Sequence, residues 1–327
     1  MLFRNAIRLL VENFKSVYKI ALYKFVVTLV ASALCCALVL PELIGLWESS
    51  VMQDLRYGVS EFISSLFSAN ASGLEHAKDT ILQSLKNLGQ LLSSKALEIS
   101  LIIVGCVVIY ILRRFVETLC YFAIGDTLND KMTTYSETPF FTAFIANLGK
   151  ASVYALVYVP VVFLFDVLTW GLAICILSYI PILPALFLSV TVIVLLQALK
   201  LMVTGLWLPA MSADKIRLKK ALRANDFAER KQRLKIYSTY VVTIYLVIIV
   251  NVISAICTFF SALIITIPAS FMLFICLQFV YYYTVKGKKY FITYQKIASN
   301  PDKGDREHYF DYIDNTAPTS IDDGEMR

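Results

Sequence analysis

Four polar side chains stand inside long apolar stretches of this sequence. Between residues 151 and 199 the one charged residue is Asp166, and between 236 and 285 there is none. A carboxylate in hydrocarbon costs at least about 2.5–3.5 kcal/mol, and such acids often mark the path of a proton or ion. Nearby amides can supply uncharged hydrogen-bond partners. We therefore define a candidate intramembrane polar site of four residues: Asp166, Gln197, Gln278 and Asn251.

The sequence supports two interpretations of Asp166. It follows Pro160 by six residues, and a proline can bend a helix so that the next turn faces other helices rather than lipid. There the carboxyl can take part in proton- or ion-linked chemistry. Alternatively, Asp166 is hydrated near the outer face or bonds a neighbouring hydroxyl such as Thr169. Lys200 lies near the inner end of its apolar stretch, where its ammonium can reach the interface.

The residues of ordinary enzyme sites are missing from this sequence. It has no GxSxG motif, no phosphate-binding glycine loop and no HExxH or CxxC motif, and it has two histidines. The seven cysteines lie in apolar or interfacial stretches, where they act as small packing residues. We therefore expect no enzymatic activity, no cofactor, no catalytic residues and no metal site.

The elements that hold the polar residues are long enough to cross a bilayer. Hydrophobic residues make up 58% of the chain and charged residues 17%, which suits lipid rather than water. A membrane helix needs about 20 apolar residues. We predict an all-α integral membrane helical bundle of six transmembrane helices, arranged as three hairpins with amphipathic interfacial helices. The predicted spans are residues 23–46, 97–119, 152–177, 183–206, 237–262 and 267–285.

The charges predict the orientation of these spans. Of the 30 Lys and Arg residues, 26 fall on one side of the six predicted spans and four on the other. Cationic loops are retained on the cytoplasmic side of a membrane. We therefore expect a multi-pass protein of the cytoplasmic cell membrane, with both termini in the cytoplasm.

A basic connector, residues 200–235, joins the second and third hairpins with ten Lys and Arg residues. Leu218, Leu222 and Phe227 are compatible with one apolar stripe on a helix, and such a helix can lie among anionic headgroups. Docking of a cytoplasmic protein is the alternative. Nucleic acid is not expected, because a basic patch without a DNA-binding fold gives only non-specific attraction. The candidate headgroup contacts are Lys219, Lys220, Arg223, Arg230, Lys231 and Arg233.

Three further segments complete the predicted organisation. Residues 1–22 form a cytoplasmic amphipathic entry to the membrane domain, which runs from 23 to 298. Residues 48–95 have two runs of helical apolar periodicity and predict an external helical cap. Residues 299–327 hold eight acids and several Gly and Pro residues, which is typical of a disordered, acidic cytoplasmic tail.

A short motif recurs before two of the hairpins. Ala143 to Asn147 and Ala221 to Asn225 both have the pattern AxxAN, although apolar sequences also match one another by chance. The layout resembles that of bacterial polytopic membrane proteins in which an Asn-bearing amphipathic segment precedes each hairpin. That resemblance implies no activity and no functional residues. We expect a scaffold or accessory subunit of a membrane complex with a membrane-protein partner. The alternative is a small-solute or ion transporter with a site between the hairpins.

Overall fold

The predicted all-α fold is confirmed. The computed structural model of the chain describes residues 2–68, 70–136, 138–224, 229–293 and 296–298. One antiparallel strand pair, β1 (Tyr290–Thr293) with β2 (Lys296–Ala298), follows the last helix. The helices are α1 (Leu2–Glu12), α2 (Phe14–Glu48), α3 (Ser50–Phe67), α4 (Ala71–Ser94), α5 (Ala96–Thr134), α6 (Phe140–Tyr179), α7 (Ile182–Thr204), α8 (Trp207–Ala213), α9 (Leu218–Ala221), α10 (Arg230–Cys257) and α11 (Leu263–Lys286).

Six helical stretches within the described part of the chain are long and apolar enough to cross a membrane. Five of them are single helices: α2, α5, α6, α10 and α11. The fourth span, Pro184–Ala213, runs through α7 and α8, which meet at Gly205. The prediction of six membrane helices is therefore confirmed, and the chain is a multi-pass membrane protein.

The chain divides into two compact units. One is Leu22–Thr118, and the other combines Met1–Ala21 with Leu119–Arg327. We call them the cap unit and the core unit. The cap unit contains most of α2, all of α3 and α4, and the first part of α5. The core unit contains α1 and every span from α6 onward, together with the second half of α5.

The cap unit is organised around the helices α3 and α4, which pack against each other. Gly58 makes this approach possible, because a Cβ there would lie 3.1 Å from Ile81 Cγ1. Ser49 caps α3 by accepting a hydrogen bond from the Met52 amide at 3.3 Å. Lys95, between α4 and α5, donates to Glu42 at 2.9 Å. This hydrogen bond and the charge of Glu42 raise the pKa of Lys95.

The core unit buries the amphipathic helix α1 against protein. Its buried face, Asn5, Ala6 and Leu9, packs on α11 and on β1. Asn5 Nδ2 donates to Tyr290 Oη at 3.0 Å. Burial raises the pKa of Tyr290, opposed by this hydrogen bond and one with Thr284. The first segment of the chain therefore packs on elements formed by its last described residues.

The basic connector differs from the single helix suggested by its apolar stripe. Its residues lie at the end of α7, in α8, in the one-turn helix α9 and at the start of α10. Lys215 has a φ of 51°, a left-handed conformation that stops helical continuation between α8 and α9. Residues 225–228, including Asn225 and Phe227, and the predicted acidic tail 299–327 lie outside the described residues.

Candidate functional site

An ion pair within the membrane-spanning part of the core unit includes the first of the predicted site residues. Lys200 Nζ, on α7, donates to Asp166 Oδ1, on α6, at 3.1 Å. The two side chains are 12% and 10% exposed, respectively. Because both charges are mostly withdrawn from solvent, each one contributes to the neutralisation of the other.

Helix direction explains why Lys200 reaches Asp166. The helices α6 and α7 are antiparallel neighbours joined by a short turn at Ile180 and Pro181. A side chain on a helix leans toward the N-terminus of that helix. For Lys200 this is the direction of the α6–α7 turn. Lys200 lies 19 residues after Pro181. Asp166 lies 14 residues before Ile180, so Asp166 is nearer the turn along the hairpin. The ammonium therefore extends back along the hairpin toward the carboxylate.

Gln197 lies one turn before Lys200 on α7 and adds a weaker contact. Its Nε2 is 3.4 Å from Asp166 Oδ1 and 3.5 Å from Thr169 Oγ1, at the outer limit of a hydrogen bond. Thr169 itself donates to the Phe165 carbonyl at 2.7 Å. Of the four predicted residues, Asp166 and Gln197 thus share one cluster, with Lys200 as the charged partner.

Gln278 lies in a different environment from this cluster. On α11 it is 9% exposed, and its Cγ would be 3.4 Å from a Cβ placed on Gly205. The same added Cβ would be 2.8 Å from Tyr240 Oη and 2.4 Å from the Leu201 carbonyl oxygen. Glycine is therefore required where α7 meets α8, because the Leu201 carbonyl and the Tyr240 hydroxyl of α10 leave no room for a Cβ there.

Asn251 belongs to a third site, which joins α10 to α11. Its Oδ1 accepts a hydrogen bond from Thr266 Oγ1 at 2.7 Å. Its Nδ2 donates to the Val247 carbonyl at 2.8 Å and to Ser270 Oγ at 3.2 Å. Both ends of the amide are satisfied, and Asn251 acts as a polar cross-link between two spans.

A carboxylate that the sequence did not single out, Asp126, joins three helices near the basic end of the core unit. Asn147 Nδ2, on α6, donates to Asp126 Oδ2 at 2.7 Å, and Ser212 Oγ, on α8, donates to Asp126 Oδ1 at 2.9 Å. Asn147 is the asparagine of the first AxxAN motif. The asparagine of the motif therefore fastens the start of one hairpin to the end of the preceding one.

A second carboxylate, Asp214, follows α8 directly. It accepts hydrogen bonds from Tyr282 Oη at 2.6 Å and from Lys288 Nζ. Partial burial raises the pKa of Asp214, but these two bonds and the charges of Lys288 and Lys286 outweigh that effect. The net pKa of Asp214 lies below its ordinary value.

The predicted headgroup contacts are spread over two elements. Lys219 and Lys220 are on α9, and Arg223 follows it. Arg230, Lys231 and Arg233 occupy the first turn of α10, at the start of a membrane-spanning helix. The described parts of the connector thus carry cations on a short helix and on a helix end rather than on one continuous amphipathic surface.

The pairing of Lys200 with Asp166, which sequence reasoning missed, was identifiable in principle by charge. Asp166 and Lys200 are the charged residues of the α6–α7 hairpin that lie deepest in its apolar stretch, and they are opposite in sign. A buried pair of opposite charges on consecutive spans is a signal for an interhelical ion pair. Asp126 gave no such signal, because it lies among polar residues beyond the predicted span. Comparison of the chain with protein-family models, curated protein sequences and solved structures gives no significant match.

Proposed function

We propose that this protein is a non-enzymatic scaffold or accessory subunit of a complex in the cytoplasmic membrane. The proposal rests on one observation in the cap unit. An open groove of about 620 Å³ runs along α3; its apolar residues are Leu55, Val59, Ile63 and Phe67, and Arg56, Ser60 and Ser64 also line it. Val59, Ile63 and Phe67 are 42%, 50% and 85% exposed. Exposed apolar surface of this kind is typical of protein interaction sites.

The spacing of the apolar groove residues favours a helix as its occupant. They recur every four residues, which places them on one stripe of α3, while Gly58 faces α4 on another side. Apolar anchors at this spacing suit a partner that lays an amphipathic helix along them. The proposed partner is accordingly a membrane protein with an exposed apolar helix on the side of the membrane that carries α3 and α4.

The ion pair between Asp166 and Lys200 also supports the proposal of a scaffold. Its carboxylate is neutralised by Lys200, so the acid and the cation satisfy each other without a bound solute. A buried pair of this kind fixes how two helices pack. On this proposal Asp166 is a cross-link of the α6–α7 hairpin.

Site-specific cross-linking tests the scaffold proposal. A photo-reactive amino acid at Ile63 should give one discrete cross-linked species in cells, whereas the same group at Leu82, an exposed apolar position of α4, should not. Val59→Ser with Ile63→Ser should abolish that species, and Leu82→Ser with Leu85→Ser should leave it. Cross-linking of lipid alone at Ile63 would show that the groove faces the bilayer and would refute the proposal.

The orientation is proposed from the charge asymmetry. With both termini in the cytoplasm, Ser72→Cys and Lys86→Cys should react with an impermeant thiol reagent in intact cells, while Asn225→Cys and Asp305→Cys should not. The native cysteines are replaced by alanine for this experiment. Labelling at position 225 from outside would overturn the proposed orientation.

A transporter remains the second candidate, because Asp166, Lys200 and Gln197 form a polar cluster withdrawn from solvent. A solute or proton that competes for Asp166 could open this ion pair during a transport cycle. The purified protein in liposomes should then move a solute in a pH-dependent manner, and Asp166→Asn should abolish that dependence. Flux equal to wild type in Asp166→Asn would remove Asp166 from any transport mechanism.

A further inference from the structure

A cavity of about 210 Å³ opens in the core unit beside the junction of α1 and α2. The start of α2 contributes Lys15, Ser16 and Lys19 to its wall. The end of α5 contributes Thr127 and Lys131, and the segment before α6 contributes Ser136 and Thr138. Three ammonium groups and four hydroxyl groups therefore surround a space at the basic end of the core unit.

Two of the three lysines are available to a ligand. Lys15 and Lys19 are exposed, and neither forms an ion pair with any described residue. Lys131 Nζ donates to the Glu12 carbonyl oxygen at 3.3 Å and lies 5.6 Å from the centre of the Tyr135 ring. These contacts hold Lys131 at the wall of the cavity.

Two carboxylates lie close to the cavity, and hydroxyl groups engage both of them. Glu12 Oε1 accepts from Tyr135 Oη at 2.6 Å, and Asp130 Oδ2 accepts from Thr138 Oγ1 at 2.6 Å. The three lysines around the cavity still outnumber these two carboxylates. The positive ends of α2 and α6 also meet the cavity, since α2 begins at Phe14 and α6 at Phe140.

We propose that this cavity binds a phosphate group, carried either by a membrane lipid or by a soluble phosphate compound. Ammonium and hydroxyl groups are the side-chain donors that phosphate oxygens accept, and Lys binds phosphate as a point charge. The volume is below the roughly 300–1,000 Å³ of pockets for drug-sized ligands, so it accommodates the charged group and not an acyl chain.

The position of the cavity suits a ligand near the membrane surface. Lys19 precedes the start of the first predicted span by four residues, a rise of about 6 Å along a helix. The polar layer of a bilayer extends for several ångströms beyond the hydrocarbon on each side. A lipid phosphate at that depth lies within reach of Lys19, and a soluble phosphate compound can enter from the aqueous side.

Binding measurements on the full-length protein in nanodiscs test the proposal. Discs of phosphatidylcholine alone are compared with discs that also contain phosphatidylglycerol, and retained lipid is counted by native mass spectrometry. Inorganic phosphate and pyrophosphate are titrated calorimetrically into the phosphatidylcholine discs. The variant is Lys15→Gln with Lys19→Gln. Its matched control is Lys150→Gln with Lys235→Gln, which removes two exposed lysines elsewhere on the basic side.

If the ligand is a lipid, the wild type and the control retain one phosphatidylglycerol, and the cavity variant binds it about 30-fold more weakly. This factor follows from roughly fivefold for each lysine near an anionic surface. If the ligand is soluble, the same difference appears with phosphate or pyrophosphate. Lys15→Arg with Lys19→Arg should retain binding. Equal loss in the two double Gln variants, or no binding of any probe by the wild type, overturns the proposal.

Discussion

The cap unit and the core unit hold their membrane spans in different ways. In the most apolar stretch of α2, 6% of the residues are buried, and in that of α5 none are. The corresponding value for α11 in the core unit is 50%. In the cap unit, Tyr23 Oη donates to the Val116 carbonyl at 2.9 Å, near one end of the two spans. The core unit adds polar links along the spans, at Asp166 and Asn251.

This difference follows from the solvent. Lipid is as apolar as Leu or Val side chains, so apolar surface alone does not drive one membrane helix onto another. Polar pairs and close packing do so, and the core unit has both. The sides of α2 and α5 remain for lipid or for a partner, which agrees with the scaffold proposal. Four tests sharpen this comparison.

The largest effect is expected at the ion pair of the core unit. Asp166→Asn keeps the size of the side chain but removes the negative charge beside Lys200, and breaking a buried pair in this way costs about 3–5 kcal/mol. The loss should be visible in the free energy of unfolding measured by steric trapping in bicelles.

A double variant separates the charge from the packing at the same site. Asp166→Leu with Lys200→Leu removes both charges and should recover most of the lost stability, because a buried pair replaced by apolar residues is often neutral. Asp166→Asn with wild-type stability would show that Lys200 reaches water without Asp166, and the core unit would then not depend on its ion pair.

Substitution of two glycines of α4 should change the stability of the cap unit in opposite directions. A Cβ at Gly73 would lie 2.5 Å from Ser65 Oγ, so Gly73→Ala should cost about 1–3 kcal/mol by forcing α3 and α4 apart. Gly89, also on α4, has no atom within 4 Å of an added Cβ, so Gly89→Ala should stabilise by up to about 1 kcal/mol. The resistance of residues 50–94 to a protease measures the stability change in each of the two variants. Equal effects of the two variants would show that α3 and α4 are not packed at Gly73.

A smaller effect is expected at Asn251. Polar links between membrane helices contribute on average about 0.6 kcal/mol and at most about 1.7 kcal/mol. Asn251→Val should lower stability by that amount, because Thr266 and Ser270 lose the amide. Thermal unfolding in detergent provides the measurement, with Val252→Ala, at an exposed position of the same helix, as the control. A loss above that limit would point to a role beyond cross-linking.

The smallest effect is expected when the pH is lowered and Asp214 becomes protonated. The pKa of Asp214 is lowered in the folded chain, so its contribution is present above pH 4, approximately the unfolded pKa, and is lost as the pH falls through the folded value. The Asp214 side chain is 21% exposed and that of Lys288 is 41% exposed, so water partly screens this ion pair. The protection of the β1 amides from hydrogen exchange, relative to the intrinsic rate at each pH, should fall below pH 4 in the wild type. This protection should be low at every pH in Asp214→Asn and should equal that of the wild type in Asp79→Asn. Protection that does not change with acid in the wild type would contradict this assignment.

The fold class was predictable because the length of an apolar run sets the number of spans, and no knowledge of contacts is needed for that count. The grouping of the site residues was not predictable, because the rotation of each helix about its own axis decides which side chains meet. Asp166 and Gln197 share a cluster, whereas Gln278 lies at Gly205 and Asn251 at Thr266. The four residues looked equivalent as polar exceptions in apolar sequence, yet they serve three separate contacts.

The apolar periodicity of the sequence also could not predict the break in the basic connector. An apolar stripe fitted one helix across residues 215–235, but Lys215 adopts a positive φ that no propensity scale assigns to lysine. The docking of α1 on α11 could not be predicted from the sequence for a different reason. Its amphipathic pattern suits a bilayer surface and a protein surface equally well, and the partner surface lies far away in the sequence.

The hydrogen bond from Asn5 to Tyr290 has a consequence for biosynthesis. The two residues are separated by 285 positions. At a translation rate of about 5–20 residues per second, roughly 15 to 60 seconds pass between the synthesis of Asn5 and that of Tyr290. During that interval α1 exists without α11, and its apolar face can be covered by the bilayer or by a chaperone. Closure of α1 onto β1 is therefore among the last steps in assembly, and a ribosome that stalls before residue 290 leaves this helix undocked.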